Sequence, residues 1–272
     1  MTTNPNDPNQ APADAAAAGT VAGGAATPGE DTFISHLIEL RDRIIRAGIA
    51  VIVVFVGLVY WAPDIFRLLA RPLLQNLPAG GKMIVTDVTG SFFVPMKVTM
   101  MVAFVIALPI VLYQLWAFVA PGLYQHEKKL VVPLVGSSYF LFLCGMAFAY
   151  FVVFPTIFRV MVHYNAPLGA EMNTDIDNYL SFVLTMFLCF GVTFEVPIVV
   201  VLLVRMGFVQ LKKLKEIRPY VVVGAFVVSA VVTPPDVVSQ LILAVPLVIL
   251  YEAGLIAARF FVPRVAANLP VV

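Results

Sequence analysis

The chain has 272 residues, of which 61% are hydrophobic and only 12% charged, with a mean hydropathy of +0.95. A soluble globular domain carries about a quarter of its residues as charges, so this composition belongs in a membrane. A formal net charge of +1, with no basic block interleaved with aromatics, excludes general nucleic-acid affinity. Cys144 and Cys189 each lie inside an apolar run and offer neither a disulfide framework nor a CxxC spacing. They read as small buried apolar residues.

Residues 1–31 are rich in Ala, Pro, Gly, Asn and Thr and lack the basic and apolar regions of a signal peptide. They are expected to form a disordered tail that serves, at most, as a tether. Next comes Ser35-His36-Leu37-Ile38-Glu39-Leu40-Arg41-Asp42-Arg43. Helical spacing puts His36, Glu39 and Arg43 on one face and Leu37, Leu40 and Ile44 on another, as in a helix that lies at the interface and then plunges. Glu39 is either a simple i,i+4 partner of Arg43 or a surface carboxylate with a ligand to read.

Six apolar spans follow, at roughly 44–62, 93–118, 131–155, 179–204, 219–233 and 237–259, judged against the ~20 residues that cross a bilayer as helix. After the first span, the stretch 63–71 alternates apolar residues with Arg67 and Arg71 at helical spacing, predicting an interfacial amphipathic helix. A second such piece starts near Thr89 and runs into the second span, with Pro95 tolerated in its early turns. The loop after the second span carries the aromatics Tyr113, Trp116 and Phe118, then a Pro121-Gly122 turn and Glu127 beside Lys128 and Lys129. The aromatics read as interface anchors, and Glu127 as either a solvated charge or part of a site.

In the fourth span Glu195 stands in an otherwise uncharged run, two residues before Pro197. A carboxylate at bilayer depth costs several kcal/mol on any scale, so it needs a partner, a water-filled cavity or a proton. Pro197 cannot donate to the carbonyl of Thr193, which predicts a kink and free polar backbone beside the carboxyl group.

The last two spans are expected to be short. Tyr220–Thr233 would give ~21 Å of helix against a ~30 Å hydrocarbon core. The sixth has Gln240 and Glu252 toward its ends, with Pro246 between them. Two short neighbours predict local membrane thinning, unless they simply tilt less against longer helices. Thr233-Pro234-Pro235-Asp236 reads as a turn in which the prolines end the fifth helix and Asp236 caps the sixth. Gln240, one turn on, is suited to hydrogen-bond a neighbouring helix.

Twelve of the 17 Lys and Arg residues fall on the side shared by both termini, in the N-terminal flank, the 119–130 and 205–218 loops and the C-terminus. The positive-inside rule therefore places both termini in the cytoplasm. The organisation is thus a tail at 1–31, an all-α polytopic domain of six transmembrane helices at 32–262 and a C-terminal cytoplasmic tail at 263–272.

Five segments in order, SHLIELRDR, LYQLWAFVAPGLYQHEKKL, FGVTFEVP, RPYVVVGAFVV and TPPDVVSQ, resemble TatC, the receptor subunit of the twin-arginine protein translocase. The resemblance covers residues 32 to about 262. It implies a receptor in the cell inner membrane, self-associated in a multimeric complex. That receptor recognises signal peptides with consecutive arginines and, with TatA and TatB type single-span subunits, exports folded proteins using the protonmotive force. It implies neither enzymatic activity nor a cofactor.

Position by position, Glu39 and Glu127 resemble the acidic residues that read the arginine pair. Arg41 and Arg43 match basic positions that orient Glu39 or merely anchor the helix, and Phe118 matches an aromatic near that surface. Glu195 matches an intramembrane acidic residue on the concave face of a cupped helix arrangement. Gln240 and Asp236 lie where the fifth and sixth spans resemble a docking surface for TatA or TatB. The loop GFVQLKKLKEIRP is more basic than the family pattern needs, and the N-terminal tail is longer.

Two other classes of function make different demands on the sequence. A proton-coupled small-solute transporter using Glu195 would show a more polar pathway and inverted repeats, and none is visible. An intramembrane enzyme would need an HExxH motif, a Ser/Lys or Asp/Asp pair, or a nucleotide loop, and the sequence has none. His36, His126 and His163 are scattered over both sides, so no metal site is expected.

Overall fold

The computed structural model describes residues 28–75, 82–84, 86, 89–119, 131–157, 159, 173–233 and 237–261. The chain divides into two units, Met1–Glu39 and Leu40–Val272. The first helix, α1 (Pro28–Leu58), opens four residues inside the stretch expected to be tail. Pro28 is at home at a helix start, where its missing N–H leaves nothing unpaired. Most of the expected tail and the whole of 263–272 lie outside the described residues.

Beyond Arg46 α1 is an apolar rod whose Ile49, Ile52, Val53 and Val56 are all exposed, as a lipid-facing helix requires. A 3-10 turn, Val59–Trp61, leads into α2 (Ala62–Gln75). This is the amphipathic helix the spacing predicts: Ile65 and Phe66 pack on the main core, while Asp64 and Arg67 pair at 3.6 Å on the exposed side. Strand β1 (Lys82–Ile84) runs parallel to β2 (Asn173–Asp175), with Lys82 opposite Asn173. The ribbon was not expected, because three-residue strands are too short to show an alternating pattern.

Helix α3 (Gly90–Val119) begins with the Thr89 carbonyl accepting from the N–H groups of Phe92 and Phe93, and it carries Pro95 and Pro109 without breaking. Helix α4 (Val131–Phe148) passes through one π-helical turn, Ala149–Val153, and continues to Ile157. Helix α5 (Ile176–Thr193) is capped by Asp175, whose side chain accepts from Asp177 N–H at 2.7 Å. Lys97 of α3 donates to Asp177 at 2.6 Å and to Ser181 at 3.2 Å, so the one lysine near the edge of the second span is matched on the fourth. Helices α6 (Val196–Arg205), α7 (Leu211–Glu216), α8 (Arg218–Val232) and α9 (Val237–Phe261) complete the described chain.

Among the described residues, five stretches are long and apolar enough to cross a bilayer: Ile34–Leu68, Gly90–Val119, Val131–Ile157, Ile176–Arg205 and Val237–Phe260. Arg218–Val232 is a shorter apolar helix. The protein is therefore a helical polytopic membrane protein, with its apolar helices where the sequence predicts them. The expectation that both final helices are short needs correction for the sixth span. At 25 residues α9 is long enough to cross, because its polar residues are satisfied without ending the helix. Gln240 Nε2 donates to the Phe226 carbonyl at 3.1 Å, and Glu252 takes Arg218 Nη2 at 2.7 Å.

The main core joins α3, α4, α5 and α9 around Val98, Phe154, Met186, Phe190 and Leu243. A second cluster holds α6 and α7 to α9, and a third joins α3, α4 and α6 through Leu112, Trp116, Phe142 and Leu202. At the α4–α5 crossing two glycines permit near contact of the backbones. A Cβ on Gly145 would lie 2.4 Å from the Phe190 carbonyl oxygen, and one on Gly191 2.5 Å from the Phe142 ring.

Candidate recognition site and intramembrane carboxylate

Glu39 is exposed on α1 and lies 3.9 Å from His36 Nδ1, one turn earlier. Arg41 commits its guanidinium to its neighbour Asp42, with Nη2 at 2.9 Å and Nε at 3.1 Å from one carboxylate oxygen. Arg43 turns the other way, toward Gln114 Oε1 on α3 at 3.5 Å, a weak bond at that distance. Arg43, Gln114 and Phe118 line a pocket of about 130 Å³, together with Leu40, Ile44 and Leu115. The structure thus brings Arg43 and Phe118 together, and it adds Gln114, which sequence reasoning missed. Gln114 falls within an aromatic run, where one amide is easily read as spacing. Glu127 and Asp236 lie outside the described residues.

Trp116 corrects a second reading. It is not an interface anchor, since only 3% of it is exposed and its indole N–H donates to Ser138 Oγ of α4 at 2.9 Å. A buried indole needs such an acceptor, and the serine is fully buried with it.

Glu195 occupies the break between α5 and α6. The α-helix ends at Thr193, and Glu195 follows with φ −74° and ψ −19° before Pro197 sets the start of α6. Where Pro197 is expected to kink the helix, the structure has a two-residue turn, Phe194–Glu195, whose φ and ψ stay in the right-handed helical region. Its carboxyl group is buried, and among the described residues neither oxygen has a hydrogen-bond partner. The Ser138 hydroxyl stands beside it without meeting hydrogen-bond geometry. Ten residues separate Glu195 from Arg205, ~15 Å of rise, which is half the thickness of the hydrocarbon core. That rise would put the carboxyl group near mid-depth of a bilayer, beside Pro197, which has no N–H to give to the Thr193 carbonyl, while the backbone of Glu195 itself is paired with Val192 and Val199.

A family model described as Sec-independent protein translocase protein (TatC) matches residues 35–246. The chain belongs to the TatC family. It is 54% identical to the Sec-independent protein translocase protein TatC of Escherichia coli (strain K12) over 237 residues, 86% of this chain and 92% of that one. The protein of the same name from Aquifex aeolicus (strain VF5) is 37% identical over 225 residues, 82% of this chain and 93% of its own length. Among solved structures, one described as the twin arginine translocase receptor TatC superposes with a TM-score of 0.74 at 36% identity, covering 83% of this chain and 98% of that chain. This TatC family member is thus a component of a protein-transport family.

Two further polar contacts were not foreseen as internal to this TatC chain. Gln240, expected to face a partner helix, gives its amide to the Phe226 carbonyl on α8, leaving its own carbonyl oxygen for another donor. Arg218 and Glu252 close the opposite end of the same helix pair. Both contacts join residues far apart in sequence, and neither has a local signature.

Proposed function

We propose that this protein is the receptor and core subunit of a translocase that recognises twin-arginine signal peptides and exports folded proteins across the cell inner membrane. In this reading both termini are cytoplasmic, the receptor self-associates, and TatA and TatB type subunits join it, with the protonmotive force driving transport. The observation that carries the reading is the match along almost the whole helical domain to a solved twin arginine translocase receptor, at 36% identity and a TM-score of 0.74.

The chemistry of the site supports it. Two adjacent guanidiniums present planar donor forks whose charge does not titrate, and a carboxylate accepts such a fork through two parallel bonds. Glu39 is exposed on a helix at the basic side, as such a reader must be. Glu127 is the second reader, so that a lone arginine satisfies only half the site. Arg43 and Phe118 line a pocket of their own between α1 and α3. Glu195 then provides a polar depression at mid-depth into which the apolar part of the signal peptide, or a partner helix, inserts. Asp236 and Gln240 belong to the surface that receives TatA or TatB.

The test is binding of a twin-arginine signal peptide to the purified protein, against Glu39→Gln with Glu127→Gln and against a Lys-Lys peptide. The expected result is loss of binding in the double variant and weak binding of Lys-Lys. Binding indifferent to all of these changes overturns the recognition assignment.

A further inference from the structure

The break at Glu195 has a second effect on packing. Above it, α5 lies tight against α4 at Gly145 and Gly191. Below it, α6 turns against α9, where a Cβ on Gly254 would come within 2.9 Å of Pro197 Cα. The redirected α6 leaves a wedge between itself and α4, a groove of about 650 Å³. Pro133, Leu134 and Leu141 form one wall, Pro197 and Val201 the other, and Ala257 of α9 lies at the back. The polar residues on its lining are Ser137, whose hydroxyl is already given to the Leu134 carbonyl, and Arg205 at the end of α6.

The groove has the dimensions of one leaflet. From Pro197 to Arg205, and from Pro133 to Leu141, eight steps of helix rise give ~12 Å, against ~15 Å for half a hydrocarbon core. One turn past Leu141, α4 meets the α5 backbone at Gly145. A transmembrane helix would need a continuing face in the other leaflet, where α4 and α5 already meet backbone to backbone. An acyl chain needs nothing beyond the wedge.

At the other end the charge is positive. Arg205 is exposed at the mouth, and the neighbouring α7 carries Lys212, Lys213 and Lys215 against the single Glu216. Leu214 of α7 packs with Val204, Leu255 and Ala258, which fixes this basic turn beside the groove.

We propose that the α4–α6 wedge is a binding site for an anionic phospholipid, with one acyl chain in the groove and the phosphate at Arg205 and the α7 lysines. Basic pockets between transmembrane helices hold anionic headgroups in this way, at roughly 1 kcal/mol per basic residue.

The test uses the full chain in vesicles doped with phosphatidylglycerol carrying a mid-chain photoreactive diazirine, and in matched vesicles with the same chain on phosphatidylethanolamine. Labelled peptides are located by mass spectrometry. Labelling is expected within 133–141 and 197–205, at least about fivefold higher for phosphatidylglycerol, the ratio that ~1 kcal/mol from a single basic residue gives. Arg205→Gln lowers the preference about fivefold and Arg205→Lys keeps it, both being changes at an exposed position. Ala257→Phe, which fills the back of the groove, lowers labelling by either lipid. Equal labelling by the two lipids, labelling confined to the exposed face of α1, or a preference unchanged in Arg205→Gln overturns the proposal.

Discussion

Glu195 is the residue at which stability and function pull apart. Its carboxyl group is buried without a hydrogen bond among the described residues, at a break that Pro197 enforces. An unsatisfied buried polar group costs about 1–3 kcal/mol. Glu195→Leu is therefore expected to stabilise the detergent-solubilised protein by that order in a thermal melt while abolishing export. Glu195→Gln separates two explanations for the carboxyl group: retained export means that polarity suffices, and loss equal to the leucine variant means that the proton matters. A leucine variant that melts lower than wild type would show that the carboxyl group has a partner in the folded protein.

At the scale of elements, the order and ends of the helices were legible because charges and prolines punctuate the apolar runs. The break in the fourth span was legible from Pro197 alone. The crossing of α4 and α5 was not, because Gly145 and Gly191 look like any other glycine in an apolar run until a neighbour's carbonyl is placed against them. Trp116 was misread for a related reason: whether an aromatic anchors the interface or closes a core depends on the facing helix, here on Ser138. The length of α9 was underestimated because Gln240 and Glu252 were counted as ends, although each is paired across to α8. Arg43 and Phe118 stand out in the sequence, whereas Gln114, which lines the same pocket, emerged only from the fold. The crossing yields a sharp contrast. Gly145→Ala forces backbone against backbone and is expected to destabilise by about 1–3 kcal/mol in a denaturant titration. Gly136→Ala, nine residues away on the same helix with nothing within 4 Å of the added carbon, is expected to be neutral or to gain up to about 1 kcal/mol of helix propensity.

For the molecule as a whole, the governing mismatch is between α8 and the bilayer. Fifteen residues give ~22 Å of helix, several ångströms less than the ~30 Å core. A membrane accommodates a short helix by thinning around it, at fractions of a kcal/mol per ångström. If thinning serves transport, inserting two Val-Ala pairs into α8 should lower export severalfold while leaving the protein abundant and still able to bind a signal peptide. Export unchanged by the longer helix would mean that α8 is short for reasons of packing alone.

The same short helix bears on how the chain enters the membrane during synthesis. A 15-residue segment behind Lys212, Lys213 and Lys215 falls below the length that partitions well by itself. Once α9 follows, its Gln240 amide meets the Phe226 carbonyl and Arg218 meets Glu252, so the Gln240 amide and the two charges arrive already matched. The two helices are thus one unit of biogenesis, inserted as a hairpin, and a nascent chain halted before α9 emerges has made a segment that cannot yet stay in the bilayer.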